Sequence, residues 1–179
     1  MRAARPGPVA RLHLALRGGV APRLPIGEAL HPVALAAAAV LVVNDWVLKP
    51  WPAAPRWLTG KLSDVAGLVF APVALTAAIG LALWTAGRLG ARVGDPWLTR
   101  RRLAIAIALT GAVFTVIKLS PEAAARFGTA WARIVPNAQV VPDPLDLVAL
   151  PALAVAWWIG ARERAWIDAG RAAQAARTS

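Results

Sequence analysis

Two polar clusters interrupt an otherwise apolar chain of 179 residues: NDWVLKPWPAAPRWLTGKLSD over residues 44–64 and KLSPEAAARFGTAWARIVPNAQVVPDPLD over residues 118–146. Together they supply Asn44, Asp45, Lys49, Lys61, Asp64, Lys118, Asp143 and Asp146, a set of carboxylate, ammonium and amide groups. All three lysines of the chain fall here, whereas the other seventeen basic residues are arginine. These positions therefore select a compact ammonium over a planar guanidinium. Three chemistries are open to such a set. Asp64, Asp143 and Asp146, with Asp45, could activate water as an acid pair or offer oxygen ligands to Mg²⁺ or Ca²⁺. The lysines, beside helix amino-termini, could hold an anionic group such as a lipid phosphate. Or acids and lysines could neutralise one another and lock helix ends together.

Other chemistries are excluded. The chain has no cysteine, which removes disulfides and thiolate catalysis. Its two histidines, His13 and His31, lie outside both clusters, so neither a Ser-His-Asp site nor a His-rich zinc site is expected there. No cofactor and no dedicated metal site are called for.

Local spacing gives each residue a further reading. Asp45 and Lys49 stand four apart, acid first, the favourable order for a helical ion pair worth a few tenths of a kcal/mol. That is little reason to carry an acid into the last turns of a membrane helix, where ionisable groups usually serve a function. In TGKLSD, Thr59 or Ser63 would cap the following helix and Asp64 would complement its dipole. Lys61 at a helix start is unfavourable, so it is expected to pair with a carboxylate from elsewhere. In PDPLD, Asp143 would cap, Pro144 suits the first helical position, and Asp146 stands where a capping box places its acid.

The elements that must position these groups are apolar. With 58% hydrophobic residues and a mean hydropathy of +0.55, the chain is too apolar for an ordinary soluble domain. Four stretches approach the roughly 20 residues that span a bilayer: 32–48, 65–86, 103–119 and 145–161, with Pro72 and Pro151 as kink candidates. A soluble bundle would need polar stripes, which the second and third stretches lack. An all-α polytopic membrane protein of four transmembrane helices is expected. A short interfacial helix should lie between the third and fourth spans, where Pro121 starts a helical pattern continued by Phe127, Trp131, Ile134 and Val135.

The basic residues orient it. Fourteen fall in the amino-terminal segment, the middle connection and the tail, against six in the two polar clusters. Basic segments stay cytoplasmic, so both termini should be cytoplasmic and both clusters should face outward across the plasma (inner) membrane. Trp46, Trp51 and Trp57 would then form the outer aromatic belt, and Trp84, Trp97, Trp157, Trp158 and Trp166 the inner one. The organisation expected is a basic amino-terminal segment (1–30), a transmembrane domain (31–165) and a tail (166–179). The net charge of +11 is spread over membrane-flanking segments, which suits anionic lipids and not nucleic acid. The first segment reads as an interfacial extension, not a secretory signal.

With its Lys/Asp-bearing second helix (TGKLSDVAGL) and the Asp-x-x-Asp start of the fourth (DPLDLVALPAL), the chain resembles the VanZ-like small bacterial membrane proteins over about residues 30–165. The resemblance implies an envelope protein without an established enzymatic mechanism. Asp45-x-x-x-Lys49 is similar to the first-helix motif of lipoprotein signal peptidases, although their other motifs are missing here. The leading expectation is an outward Lys/Asp cluster that binds or positions an anionic lipid or a lipid-linked envelope intermediate. The alternatives are an aspartate-dependent hydrolase at the outer face and a purely structural membrane subunit.

Overall fold

The computed structural model describes residues 7–20, 23–133 and 140–178. Among these the chain is entirely helical. Helix α1 is Pro8–Leu16, and α2 is Pro32–Val43, extended by a wide π turn over Asn44–Leu48. Then come α3 (Arg56–Arg88), α4 (Arg100–Leu119) and α5 (Pro121–Trp131). A 3₁₀ segment, Pro144–Ala152, runs directly into α6, Leu153–Thr178. Three helical stretches are long and apolar enough to cross a membrane: Arg56–Arg88, Arg100–Leu119 and the continuous Pro144–Thr178. Pro32–Leu48 is apolar but shorter, because the Pro50 and Pro52 that follow leave it 17 residues.

Small residues let these helices approach. One core joins Ala34 of α2, Val69 and Val73 of α3, and Ala156 and Ile159 of α6; a second joins Leu68, Phe114 and Ala149. Gly160 of α6 lies against Leu103 of α4, and a methyl group there would overlap the leucine side chain. At Gly80 a Cβ would come within 2.7 Å of the Pro25 carbonyl and 2.8 Å of that of Pro96. Both connecting segments therefore fold onto α3 at one level, about 24 Å along the helix from Asp64 at 1.5 Å per residue. Large apolar side chains such as Val43, Val65, Ile105, Leu109, Val116 and Val148 are exposed, a surface compatible with a hydrocarbon surrounding.

Several boundaries differ from the sequence reading. α3 begins at Arg56, after Pro55 and nearly two turns before Ser63. Thr59, Lys61, Ser63 and Asp64 are thus inside a helix, and neither Thr59 nor Ser63 caps it. Pro55 holds an extended backbone at the cap, and the tertiary partners of Thr59, Lys61 and Asp64 favour the helical conformation from Arg56 onward. Asp143 does cap, accepting from the Leu145 amide at 2.9 Å. Asp146 is not the acid of a capping box, since its carboxylate is engaged by lysines from other helices. Pro151 sits near the end of the 3₁₀ segment, whose geometry accommodates it, and Pro72 is buried within α3. The short helix α5 follows Ser120, whose hydroxyl accepts from Ala123, and it stacks Phe127 on Trp131. Ile134, Val135 and Asn137 lie outside the described residues. The amino-terminal segment packs into the bundle: His13 and Arg17 are buried.

Candidate functional site

The lysines and aspartates converge at one end of the bundle. α3 contributes Lys61 and Asp64 one turn apart, α4 ends in Lys118, and the first turn of the 3₁₀ segment presents Asp146. The Lys118 ammonium lies between two carboxylates, 2.9 Å from Asp64 Oδ2 and 2.6 Å from Asp146 Oδ2. The other Asp146 oxygen accepts from Lys61 Nζ at 3.1 Å. Lys118 is also 5.5 Å from the ring centroid of Phe114, four residues earlier on the same helix. Burial is graded across the network: the Lys118 side chain is 8% exposed and that of Lys61 44%.

A second set of contacts adjoins the first. In the π turn the Lys49 amide reaches back to the Asn44 carbonyl at 2.8 Å, five residues away. The Asn44 side chain is fully buried; its amide donates to the Thr59 carbonyl at 2.8 Å and to Ser63 Oγ at 2.6 Å. The Ser63 hydroxyl in turn donates to Asp45 Oδ1 at 3.2 Å, and Lys49 closes the row at 2.6 Å from the same oxygen. Among the described residues Asn44 Oδ1 has no hydrogen-bond partner, a buried acceptor left open beside the cluster.

The structure therefore brings together seven of the eight residues singled out from sequence, in two adjoining rows that share α3. Asp143 stands apart, held as a helix cap. Three lysines face three aspartates, so the site is close to neutral as a whole, and the more exposed cations, Lys49 and Lys61, stand at its rim. Trp46, Trp51 and Trp57 are exposed on the surrounding turns.

A second polar cluster, which sequence spacing did not reveal, occupies the opposite end of α2. Arg17 of α1 donates to Glu163 Oε1 of α6 at 2.6 Å. His13 Nε2 lies 2.8 Å from the Gly27 carbonyl and 3.4 Å from Glu163 Oε2. His31 accepts from the Val33 amide through Nδ1, and its ring meets both His13 and Trp158 edge to face. Glu28 is buried nearby, with the Thr76 hydroxyl beside it. Burial pushes the Glu28 carboxyl up to about 7 and the His31 imidazole down to about 4, and lowers His13. The available signal was scarcity: the chain has three glutamates, and two of them meet here. Compared with protein-family models, curated proteins and solved structures, the chain matches none of them.

Proposed function

We propose that the lysine-aspartate end is an outward-facing site of a four-span inner-membrane protein that binds or positions an anionic lipid headgroup or a lipid-linked envelope intermediate. Pro32–Leu48 is the fourth span in this reading, short but flanked by Trp46 and Trp51, and both termini are cytoplasmic, as the arginine distribution favours. The observation that carries the proposal is the half-exposed Lys61 ammonium, held at the rim by Asp146 with one of its three donors used. Lys118 below it satisfies both carboxylates, so Lys61 can turn its remaining donors to a phosphate without stripping the acids of their partner. TGKLSDVAGL and DPLDLVALPAL, the segments that resemble VanZ-like proteins, contain Lys61, Asp64 and Asp146, and that resemblance would fit an envelope role.

Native mass spectrometry of the detergent-purified protein tests it. Wild type should retain anionic over zwitterionic phospholipid, and Lys61→Met should lose that preference while remaining folded. Equal retention by both proteins contradicts the proposal. Because the chain lacks cysteine, single Ala53→Cys and Ala173→Cys variants report the topology: an impermeant maleimide should label only the first in intact cells.

One observation favours a second reading. Asp64 and Asp146 approach the same ammonium, which also suits an acid pair for a hydrolase at the membrane face. An Asp64→Asn protein that folds and keeps its lipid but abolishes a hydrolytic turnover would move the assignment there.

A further inference from the structure

The polar cluster at the histidine end is buried, and Glu28 within it lacks an ion-pair partner among the described residues. Arg17, Glu28 and Glu163 are each at most 3% exposed, and each carries an atom with no hydrogen-bond partner: Arg17 Nε, Glu28 Oε1 and Glu163 Oε2. Gly27 is part of the construction, because a Cβ there would fall on the Glu163 carboxylate. Every element packed against the cluster contributes charge or polarity. α1 brings His13 and Arg17, the following segment Glu28 and His31, α3 Thr76, α4 Arg102, and α6 Arg162 and Glu163.

Among the described residues none of these cations forms an ion pair with Glu28. Arg17 is committed to Glu163 at 2.6 Å. Arg102 donates to the Asp95 and Pro96 carbonyls, and the Arg162 guanidinium lies 4.8 Å from the Trp158 ring centroid. His31 cannot supply a cation, since its Nδ1 accepts from Val33 and so carries no proton, and burial lowers His13, which lies against Gly27 and Glu163. The Thr76 hydroxyl donates to the Val73 carbonyl at 2.9 Å, so its hydrogen is already engaged beside Glu28. A buried carboxylate with no cation at ion-pair distance is costly, and the neutral acid avoids that cost.

We propose that Glu28 carries an exchangeable proton in the folded protein, so that folding is linked to uptake of a proton at this site. The site goes beyond the lysine-aspartate end, shares no residue with it and does not depend on its function. Glu163 is ion-paired with Arg17, whereas Glu28 has no such partner among the described residues and is the glutamate assigned the proton. The upward displacement of Glu28 to about 7 agrees with the geometry.

Infrared spectroscopy of the full chain labelled with ¹³C-glutamate tests this, because only three glutamates exist and Glu122 is exposed in a pair with Arg126. Wild type at about pH 6 should show a labelled carboxylic-acid carbonyl band that an exposed glutamate would not give, and the band should fade by about pH 9. Glu28→Gln should abolish it. The inference is overturned if wild type lacks the band, or if the band survives intact in Glu28→Gln. Should that variant fail to fold, Glu28→Asp keeps an acid but removes the labelled glutamate, and the ¹³C-glutamate band must disappear. The wild-type spectrum stands as a test by itself.

Discussion

Lys118→Met should be the most damaging single change at the lysine-aspartate end. The ammonium is 8% exposed and the Asp64 and Asp146 side chains 14% and 11%, so its removal leaves two nearly buried carboxylates facing one another. Breaking a buried pair by removing one partner costs about 3–5 kcal/mol, because the abandoned charge stays buried. Asp146 keeps Lys61, which is 44% exposed and screened, so the relief from that side is small. Denaturant unfolding in detergent, followed through the nine tryptophans, gives the loss directly. The same reasoning fixes a control. A Lys118→Met, Asp64→Asn, Asp146→Asn triple variant removes the stranded charges and should regain most of the stability. A Lys118→Met protein within about 1 kcal/mol of wild type would refute the reasoning, as would a triple variant no more stable than the single one.

Other outcomes follow from the same contacts. Lys61→Met should cost less than about 1 kcal/mol, since its pair is largely solvated; a larger loss in the same unfolding assay would make Lys61 structural. Glu28 is raised from 4.5 to about 7, so its stabilisation is fully present below about pH 4.5 and lost as the pH rises through about 7. The stability difference between wild type and Glu28→Gln should therefore shift by about 3 kcal/mol across that window, and a flat difference contradicts the linkage. His31 has the opposite sign: lowered from 6.5 to about 4, it weakens the fold as pH falls through that interval. His31→Asn, which preserves the cap, should become more stable relative to wild type on acidification, as a pH series of melts will show. Gly27→Ala places a methyl on the Glu163 carboxylate and should cost about 1–3 kcal/mol, with faster amide exchange in α1.

The polar residues at the lysine-aspartate end were legible because their types were concentrated. Three lysines and four aspartates in two short clusters narrowed the chemistry before any fold was known, and the expectation that Lys61 seeks a distant carboxylate is met by Asp146. The apolar runs likewise marked the helices, since burial in hydrocarbon or in a core needs continuous hydrophobicity. What spacing could not give was the start of α3. A polar RWLTGKLSD segment reads as a loop with caps, yet tertiary partners for Asn44, Lys61 and Asp64 make the helical conformation the favoured one. The histidine end was hidden for a related reason. Its members are spread from His13 to Glu163, each alone among apolar or basic neighbours, and only the packing of α1 against α6 unites them.

The central claim is that Lys61 and its neighbours recognise an anionic headgroup. It is tested most directly by titrating the protein, held in phosphatidylcholine nanodiscs, with short-chain phosphatidylglycerol and phosphatidylcholine carrying the same acyl chains. The account predicts that wild type prefers the anionic lipid by about tenfold or more, about 1.4 kcal/mol, and that Lys61→Met loses the preference without losing stability. Equal affinities in wild type, or an unchanged preference in Lys61→Met, would contradict it.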